Sequence, residues 1–176
     1  MPRCVAFLRA VNVGGRTVKM DALRAAFDAL ALANVETFIA SGNVIFDSRT
    51  RDLAALERKI EACLLKGFGF EIDTFVRTLD EVAAVAAHTA FDAVATTQVV
   101  GFLRSAPTPQ ALDTIARMAT SVDRLSVHGR ELFWFSERKQ SESVFTNAVF
   151  ERALDMRSTF RALSSLRKLV AKHTRS

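Results

Sequence analysis

The hydrophobic pattern divides the chain into short apolar runs and amphipathic segments, which predict strands and helices in alternation. A nearly continuous apolar run over residues 4–11 is typical of a strand buried on both faces. Apolar residues at helical spacing then predict an amphipathic helix over residues 19–32. The rest of the first half predicts strands over 35–39 and 44–47 that form a hairpin around Ser41–Asn43, a helix over 51–65, a strand over 72–76 and a helix over 79–87.

The same order of elements begins again near residue 99. Val99–Arg104 resembles Val5–Arg9 in character, and the triplet Phe-Leu-Arg is identical in both. The pattern then predicts a helix that includes residues 112–119, a hairpin over 122–136, a helix over 144–154, and a closing helix over 160–172 that Ser158–Arg161 would open. The agreement in element order favours an internal duplication over a chance similarity of short apolar strands.

We therefore predict an α+β fold of two related βαββα subdomains of the ferredoxin-like type, packed together, with a C-terminal helix. The first subdomain would span residues 1–88, and a further strand would close it as a βαββαβ unit. The second subdomain would span residues 95–176 and carry the terminal helix.

Composition and cysteine usage indicate an ordinary globular protein. The chain has 176 residues, of which 49% are hydrophobic and 24% are charged. Cys4 and Cys63 match no metal-binding spacing, so we expect free thiols in a reducing compartment. The N-terminus lacks the apolar length of a signal peptide, and no run approaches the ~20 apolar residues of a membrane span. We expect a cytoplasmic protein without membrane association.

The net charge of +5 permits an anionic partner without requiring one. Basic residues gather near the C-terminus, at Arg157, Arg161, Arg167, Lys168, Lys172 and Arg175. A basic terminal helix can bind phosphates, including those of nucleic acid, or can simply be a solvated face.

Arg9 and Arg104 are unusual because each ends an apolar run. A guanidinium in an apolar strand must be paired or reach a wet cleft. Both arginines would lie near the C-terminal ends of their strands, where open α/β sheets usually place ligands. The alternative is that each pairs with a carboxylate such as Asp47 or Glu36.

The loop after the first strand carries Asn12, Gly14 and Gly15. Glycines between a strand and a helix can turn backbone N–H groups toward an anion. The alternative is a tight loop that needs positive φ angles, with Asn12 bonded to its own backbone. The loop matches neither the P-loop nor the dinucleotide-binding pattern.

Polar residues also open the later predicted helices, at Ser143–Asn147 and at Ser158–Arg161. Helix capping explains them, and the functional alternative is that these helix ends meet the Arg9 loop as an anion pocket. The sequence contains no zinc motif, nucleophile elbow or Walker lysine, and its three histidines are isolated, so we predict neither a metal nor a cofactor.

Several motifs carry a resemblance to a known family. The stretch LRAVNVGG, followed by a helix and then TFIASGNVIF, resembles the opening of bacterial proteins in domain-of-unknown-function family 1697. Later residues also fit the family pattern, namely Ser143, Thr146, Asn147, Glu151, Thr159, Arg161 and Lys168. The chain departs from that pattern at Ala10, Phe38, Val144 and Ala162. The resemblance implies two related α+β subdomains and no established activity.

Our leading hypothesis is a protein that binds a small phosphate- or carboxylate-bearing ligand in a cleft near the end of the first strand. The candidate ligand-binding residues are Arg9, Asn12, Gly14 and Gly15 on one side and Asn147, Thr159 and Arg161 on the other. Nucleic-acid binding through a basic surface is the alternative. An enzyme ranks last, because no nucleophile or general base is evident.

Overall fold

Two similar four-stranded antiparallel sheets, each with its own helices, make up the protein. The computed structural model describes residues 1–11, 13–39, 42–91 and 95–174. The chain forms two compact units, Met1–Ala83 and Ala84–Ser176. Asn12 and Ser41, which the sequence analysis singled out, lie outside the described residues.

The first unit has the strand order of a ferredoxin-like fold, β2-β3-β1-β4. Its elements are β1 (Arg3–Leu8), α1 (Met20–Asp28), β2 (Ala33–Thr37), β3 (Asn43–Asp47), α2 (Leu53–Phe68) and β4 (Thr74–Thr78), followed by α3 (Leu79–Ala87), which runs across the boundary between the units. Cores of this type bury one face of the sheet under the two crossover helices, and here Leu23, Phe27, Leu56 and Ile60 supply that contact.

The second unit repeats the order as β6-β7-β5-β8. Its elements are β5 (Thr97–Leu103), α4 (Pro109–Met118), β6 (Asp123–His128), β7 (Glu131–Ser136), a short 3₁₀ turn (Gln140–Glu142), α5 (Asn147–Leu154), β8 (Ser158–Ala162) and α6 (Leu163–His173). The α+β prediction with two ferredoxin-like halves is therefore confirmed.

One predicted element is wrong, because Ser158–Ala162 forms strand β8 and does not open a helix. The second half is therefore βαββαβ, like the first, and its last helix begins at Leu163. The strand is held by its pairing with β5, in which Gly101 lies opposite Phe160 and the Phe160 ring covers the space above the glycine.

The first strand is buried on both faces, as its continuous apolar run predicted. Cys4, Ala6 and Leu8 belong to the core under the helices, while Val5 and Phe7 on the other face are also fully buried. The strand is shorter than the predicted range of residues 4–11, since it ends at Leu8. The chain leaves the sheet there because Ala10 has a φ of +55°, which extended backbone does not allow.

Aromatic rings dominate the core of the second unit. Trp134 lies 5.9 Å from Phe145 and 5.5 Å from Phe150, measured between ring centroids. The indole N–H donates to a carboxylate oxygen of Asp123 at 3.0 Å, and the Thr120 hydroxyl donates to the other oxygen at 2.8 Å. Burial alone would raise the pKa of Asp123, but the hydrogen bonds from Trp134, Thr120 and Ser136 outweigh it and leave that pKa below its usual range.

Strand β4 lies at the edge of the first sheet, and carboxylates cover its free side. Three backbone N–H groups that point away from β1 each donate to a glutamate at 2.7–2.9 Å, Thr74 to Glu61, Val76 to Glu57 and Thr78 to Glu81. The second unit repeats one of these contacts, since the Ser158 N–H donates to Glu151 at 3.2 Å. Edge N–H groups that are bonded in this way are not open to pairing with another strand.

We predict that Gly101→Ala destabilises the second unit. A Cβ at this position would lie 2.6 Å from Cζ of Phe160, so this ring, which packs against Phe150, must move. Overpacking of this kind costs about 1–3 kcal/mol of unfolding free energy. Urea unfolding followed by the fluorescence of Trp134, the single tryptophan, measures the loss.

Gly67→Ala is the matched control for this prediction. Gly67 lies within α2, and a Cβ there would meet no atom within 4 Å. Alanine in a helix is favoured over glycine by up to about 1 kcal/mol, so this variant should unfold at the same or a higher urea concentration, as measured by circular dichroism. Equal unfolding midpoints for the wild-type protein and Gly101→Ala would contradict the packing argument.

We predict that Asp123→Asn removes part of the acid sensitivity of the second unit. Because the pKa of Asp123 is lowered by folding, its stabilising effect is complete above the unfolded pKa of about 3.9 and is lost as the pH falls through the lower folded value. The variant should be about 1–3 kcal/mol less stable at neutral pH, with a deficit that shrinks on acidification. Unfolding curves followed by tryptophan fluorescence measure the difference in unfolding free energy between the wild-type protein and the variant. A difference that stays constant down to the lowest pH at which the protein folds would contradict the lowered pKa of Asp123.

Candidate functional site

Each unit contains a concave region, and the two regions differ in charge. In the first unit, a hollow of about 200 Å³ lies beside α2 and the start of β4, lined by Glu61, Ala62, Leu65, Glu71, Ile72 and Asp73. In the second unit, a larger cleft of about 400 Å³ lies at the beginning of β5. We call the second region the β5 cleft. It is lined by Ala95, Thr96, Thr97, Gln98, Val99, Lys139, Gln140, Ala162, Ser164 and Arg167.

The sheet topology brings together the three chain segments that line the β5 cleft. Strand β5 starts at Thr97 and pairs on one side with the end of β7, where Ser136 lies opposite Thr97. On its other side it pairs with the end of β8, where Ala162 lies opposite Val99. The segment after β7 and the first turn of α6 therefore meet beside the first residues of β5.

The electrostatic character of the β5 cleft is positive. Lys139 and Arg167 are basic, and none of the ten lining residues is acidic. Within the part of the chain that the structure describes, neither of the two cations forms an ion pair. The hollow of the first unit has the opposite character, since Glu61, Glu71 and Asp73 line it without a basic residue.

Hydrogen bonds hold the walls of the β5 cleft in place. The Thr97 hydroxyl donates to the carbonyl of Arg138 at 2.7 Å, which fixes the segment that carries Lys139 to the start of β5. Nε of Arg167 donates to the carbonyl of Ala86 at 3.5 Å, a long contact that orients the guanidinium. The terminal nitrogens of that guanidinium can then donate to a ligand.

The first turn of α6 adds to the positive character of the cleft. Ala162 precedes the helix and offers no side-chain acceptor for its first N–H groups. Ser164, which lies in that first turn, lines the cleft. The N-terminal end of a helix carries partial positive charge, so it supports the effect of the two cations on an anion nearby.

The structure places Arg9 just after the end of β1 and not within it. Its backbone N–H donates to the carbonyl of Asp73 at 2.9 Å. Asp47 and Glu36, which the sequence analysis considered as its partners, both form ion pairs with Arg3. Arg104 likewise follows the end of β5 and is exposed.

The two loop glycines form the centre of a tight turn. Gly14 and Gly15 have φ angles of +62° and +79°, and the Arg16 N–H closes the turn on the carbonyl of Val13 at 3.2 Å. A Cβ on either glycine would meet no atom within 4 Å. The turn itself therefore accounts for both glycines, through their positive φ angles.

The three candidate residues of the second unit lie on two faces of its sheet. The Asn147 side chain accepts from the Ser158 hydroxyl at 2.7 Å and donates to the Ser158 carbonyl at 3.0 Å, on the side of the helices. Thr159 and Arg161 alternate with Ser158 along β8, so their side chains point to the other face. The structure thus separates Asn147 from the other two residues.

Thr159 and Arg161 contact each other on that opposite face. Nη1 of Arg161 donates to the Thr159 hydroxyl at 2.7 Å and to the Phe160 carbonyl at 2.9 Å. Burial lowers the pKa of Arg161 to about 10, so the guanidinium stays charged at neutral pH. Arg9, Gly14 and Gly15 belong to the first unit and these residues to the second, and their role in binding stays a prediction.

Sequence reasoning missed most of the β5 cleft. Arg167 appeared only as one of several basic residues on the closing helix, and Lys139, Gln98 and Gln140 were not considered. The useful signal was the change from the apolar residues Leu132–Phe135 of β7 to the polar residues that begin at Ser136, where the strand ends. That change marks a strand end, where chain segments from different parts of the sequence meet.

Two observations on the described residues bear on covalent and metal chemistry. Burial raises the pKa of the Cys4 thiol to about 11, and the carboxylates of Glu81 and Asp47 add to the shift, so this thiol is a poor nucleophile at neutral pH. Both cysteines are free thiols, as expected. Among the residues described, no three metal-binding side chains come together.

None of the helices described is long and apolar enough to cross a membrane.

The fold defines an α+β protein built from two similar ferredoxin-like halves. The model of a family described as "Protein of unknown function (DUF1697)" matches residues 1–133, and the chain belongs to this family. The resemblance found in the sequence motifs is thus confirmed.

Among solved structures, the chain is similar to that of a conserved bacterial protein, SP0830, from Streptococcus pneumoniae. The TM-score is 0.78 at 23% sequence identity, and the match covers 99% of each chain. At this identity the similarity shows a shared fold. The search of curated proteins finds no match.

Proposed function

We propose that the protein binds a small anionic ligand, bearing a phosphate or a carboxylate, in the β5 cleft. The observation that carries this proposal is that Lys139 and Arg167 both line a cleft that no acidic residue lines. The volume of about 400 Å³ lies within the range of about 300–1,000 Å³ that is typical of small-molecule sites.

Two cations without carboxylate partners favour an anion for a simple electrostatic reason. Opposite unit charges about 4 Å apart attract by about 4 kcal/mol near a protein surface. A carboxylate that already neutralises the cation would weaken its net attraction for an anionic ligand. Arginine adds geometry, because its guanidinium donates two parallel hydrogen bonds to a phosphate or carboxylate. Lys139 supplies a mobile point charge that adapts to the ligand.

The same electrostatic argument favours the β5 cleft over the end of the first strand. Three carboxylates line the hollow in the first unit. One of them is that of Asp73, whose backbone carbonyl accepts the hydrogen bond from the Arg9 N–H. An anion brought to that region would meet negative charge. The sequence hypothesis of a small anionic ligand is thus kept, but its site is moved to the second unit.

We predict that inorganic phosphate stabilises the protein against heat and that Lys139→Ala and Arg167→Ala each weaken this effect. Each variant removes a charged hydrogen-bond donor, worth about 1.5–3 kcal/mol, so the dissociation constant should rise about tenfold or more. Calorimetric titration at low salt measures the constant directly. Arg117→Ala is the matched control, because it removes an exposed cation of the same unit outside the cleft.

The outcomes distinguish the candidate sites. Phosphate affinity that falls in Arg9→Ala but not in Lys139→Ala or Arg167→Ala would place the anion at the end of β1 and contradict the β5 cleft. Arg167→Lys keeps the charge and shows whether a loss in Arg167→Ala reflects the missing charge or a change in the contact with Ala86. Binding of RNA or DNA that falls steeply with salt, without binding of small anions, would favour the nucleic-acid alternative.

A further inference from the structure

We infer that the ligand of the β5 cleft is a phosphate monoester of a small hydroxyl-rich compound, such as a phosphorylated sugar or polyol, and not a nucleotide. This inference rests on the proposed function, since it names the ligand class for the same cleft. It follows from three properties of the lining residues, which are their charge, their hydrogen-bonding groups and the absence of aromatic rings among them.

The charge of the cleft matches a dianion. Lys139 and Arg167 contribute two positive charges, and the other lining residues are neutral. A phosphate monoester carries about −1.5 to −2 charges at neutral pH, with three acceptor oxygens. A single carboxylate carries one charge and two oxygens, so it would leave one of the two cations without a counter-charge.

The neutral polar side chains suit hydroxyl groups. Thr96, Gln98, Gln140 and Ser164 each carry both a donor and an acceptor, and a sugar hydroxyl likewise donates and accepts. The Thr97 hydroxyl is already bonded to the Arg138 carbonyl and serves to hold the wall. Among the described residues, the Gln98 amide donates to the Ala95 carbonyl over a long distance of 3.4 Å, a contact that a ligand can displace.

The apolar part of the cleft is too slight to hold a nucleobase. The remaining lining residues are Ala95, Val99 and Ala162, and none of the ten is aromatic. Proteins usually hold a base by stacking it on aromatic side chains or between apolar ones, a contact worth about 1–3 kcal/mol per base. The flat faces of a nucleobase would therefore have no stacking partner among the residues that line this cleft.

We predict that glucose 6-phosphate or glycerol 3-phosphate binds at least about tenfold more tightly than inorganic phosphate, because the hydroxyl groups add hydrogen bonds to the phosphate contacts. Unphosphorylated glucose should show no measurable binding, and adenosine monophosphate should bind no more tightly than phosphate. Calorimetric titration of the full chain at neutral pH and low salt compares the four kinds of probe, with Arg117→Ala as the control variant.

Variants at the amide side chains test whether the hydroxyl groups are read in this cleft. Gln98→Ala and Gln140→Ala should lower the ratio of sugar-phosphate affinity to phosphate affinity by about fivefold or more, since a lost neutral hydrogen bond costs about 1 kcal/mol. Affinity for the sugar phosphate should also fall as the pH drops below the second phosphate pKa of about 6, because the phosphate then loses one of its two negative charges.

The results separate this inference from the proposed function. If phosphate binding depends on Lys139 and Arg167 but sugar phosphates bind no more tightly than phosphate, or adenosine monophosphate binds most tightly, the inference is overturned and anion binding stands. An unchanged affinity ratio in both glutamine variants also overturns it. If neither phosphate nor any phosphorylated probe binds, both the inference and the proposed function fail.

Discussion

Burial of the central strand on both faces, with a neighbour along both edges, is the constraint that organises each unit. Strands β1 and β5 have neighbours on both sides, so their backbone groups are bonded within the sheet. A polar side chain in the middle of such a strand would be costly. On these two strands, polar groups that can meet a ligand are therefore confined to the ends, and the β5 cleft lies at such an end.

The sequence predicted the elements that local periodicity determines and missed those that depend on distant pairing. Continuous apolar runs and helical spacing predicted both central strands, the hairpins and the six α-helices of the described residues in the right order. Strand β8 was not predicted, because a short segment directly before a leucine-rich helix resembles the first turn of that helix. Its identity depends on Gly101, far away in sequence, which leaves room for the Phe160 ring.

The candidate site was harder to predict than the fold, for a related physical reason. Familiar anion-binding motifs are continuous in sequence, and the glycine loop after β1 resembles one. In the structure, Gly14 and Gly15 of this loop form a tight turn. In the β5 cleft, by contrast, Lys139 and Arg167 come from separate segments that meet only after β7 and β8 have paired with β5. The residues next to Lys139 and Arg167 in sequence form no binding motif, and only the pairing of the strands brings the two side chains to the same cleft.

The glutamates along the edge of β4 bear on how a chain with two similar halves assembles correctly. Glu57 and Glu61 lie on α2, so the edge is completed only when the helix and strand of the same half come together. Glu151 on α5 makes the corresponding bond to β8. A strand inserted into the sheet of the other half would leave the buried Glu57 without its backbone donor, at a cost in free energy. Exchange of strands between repeats is a common route to misfolding, and these carboxylates oppose it.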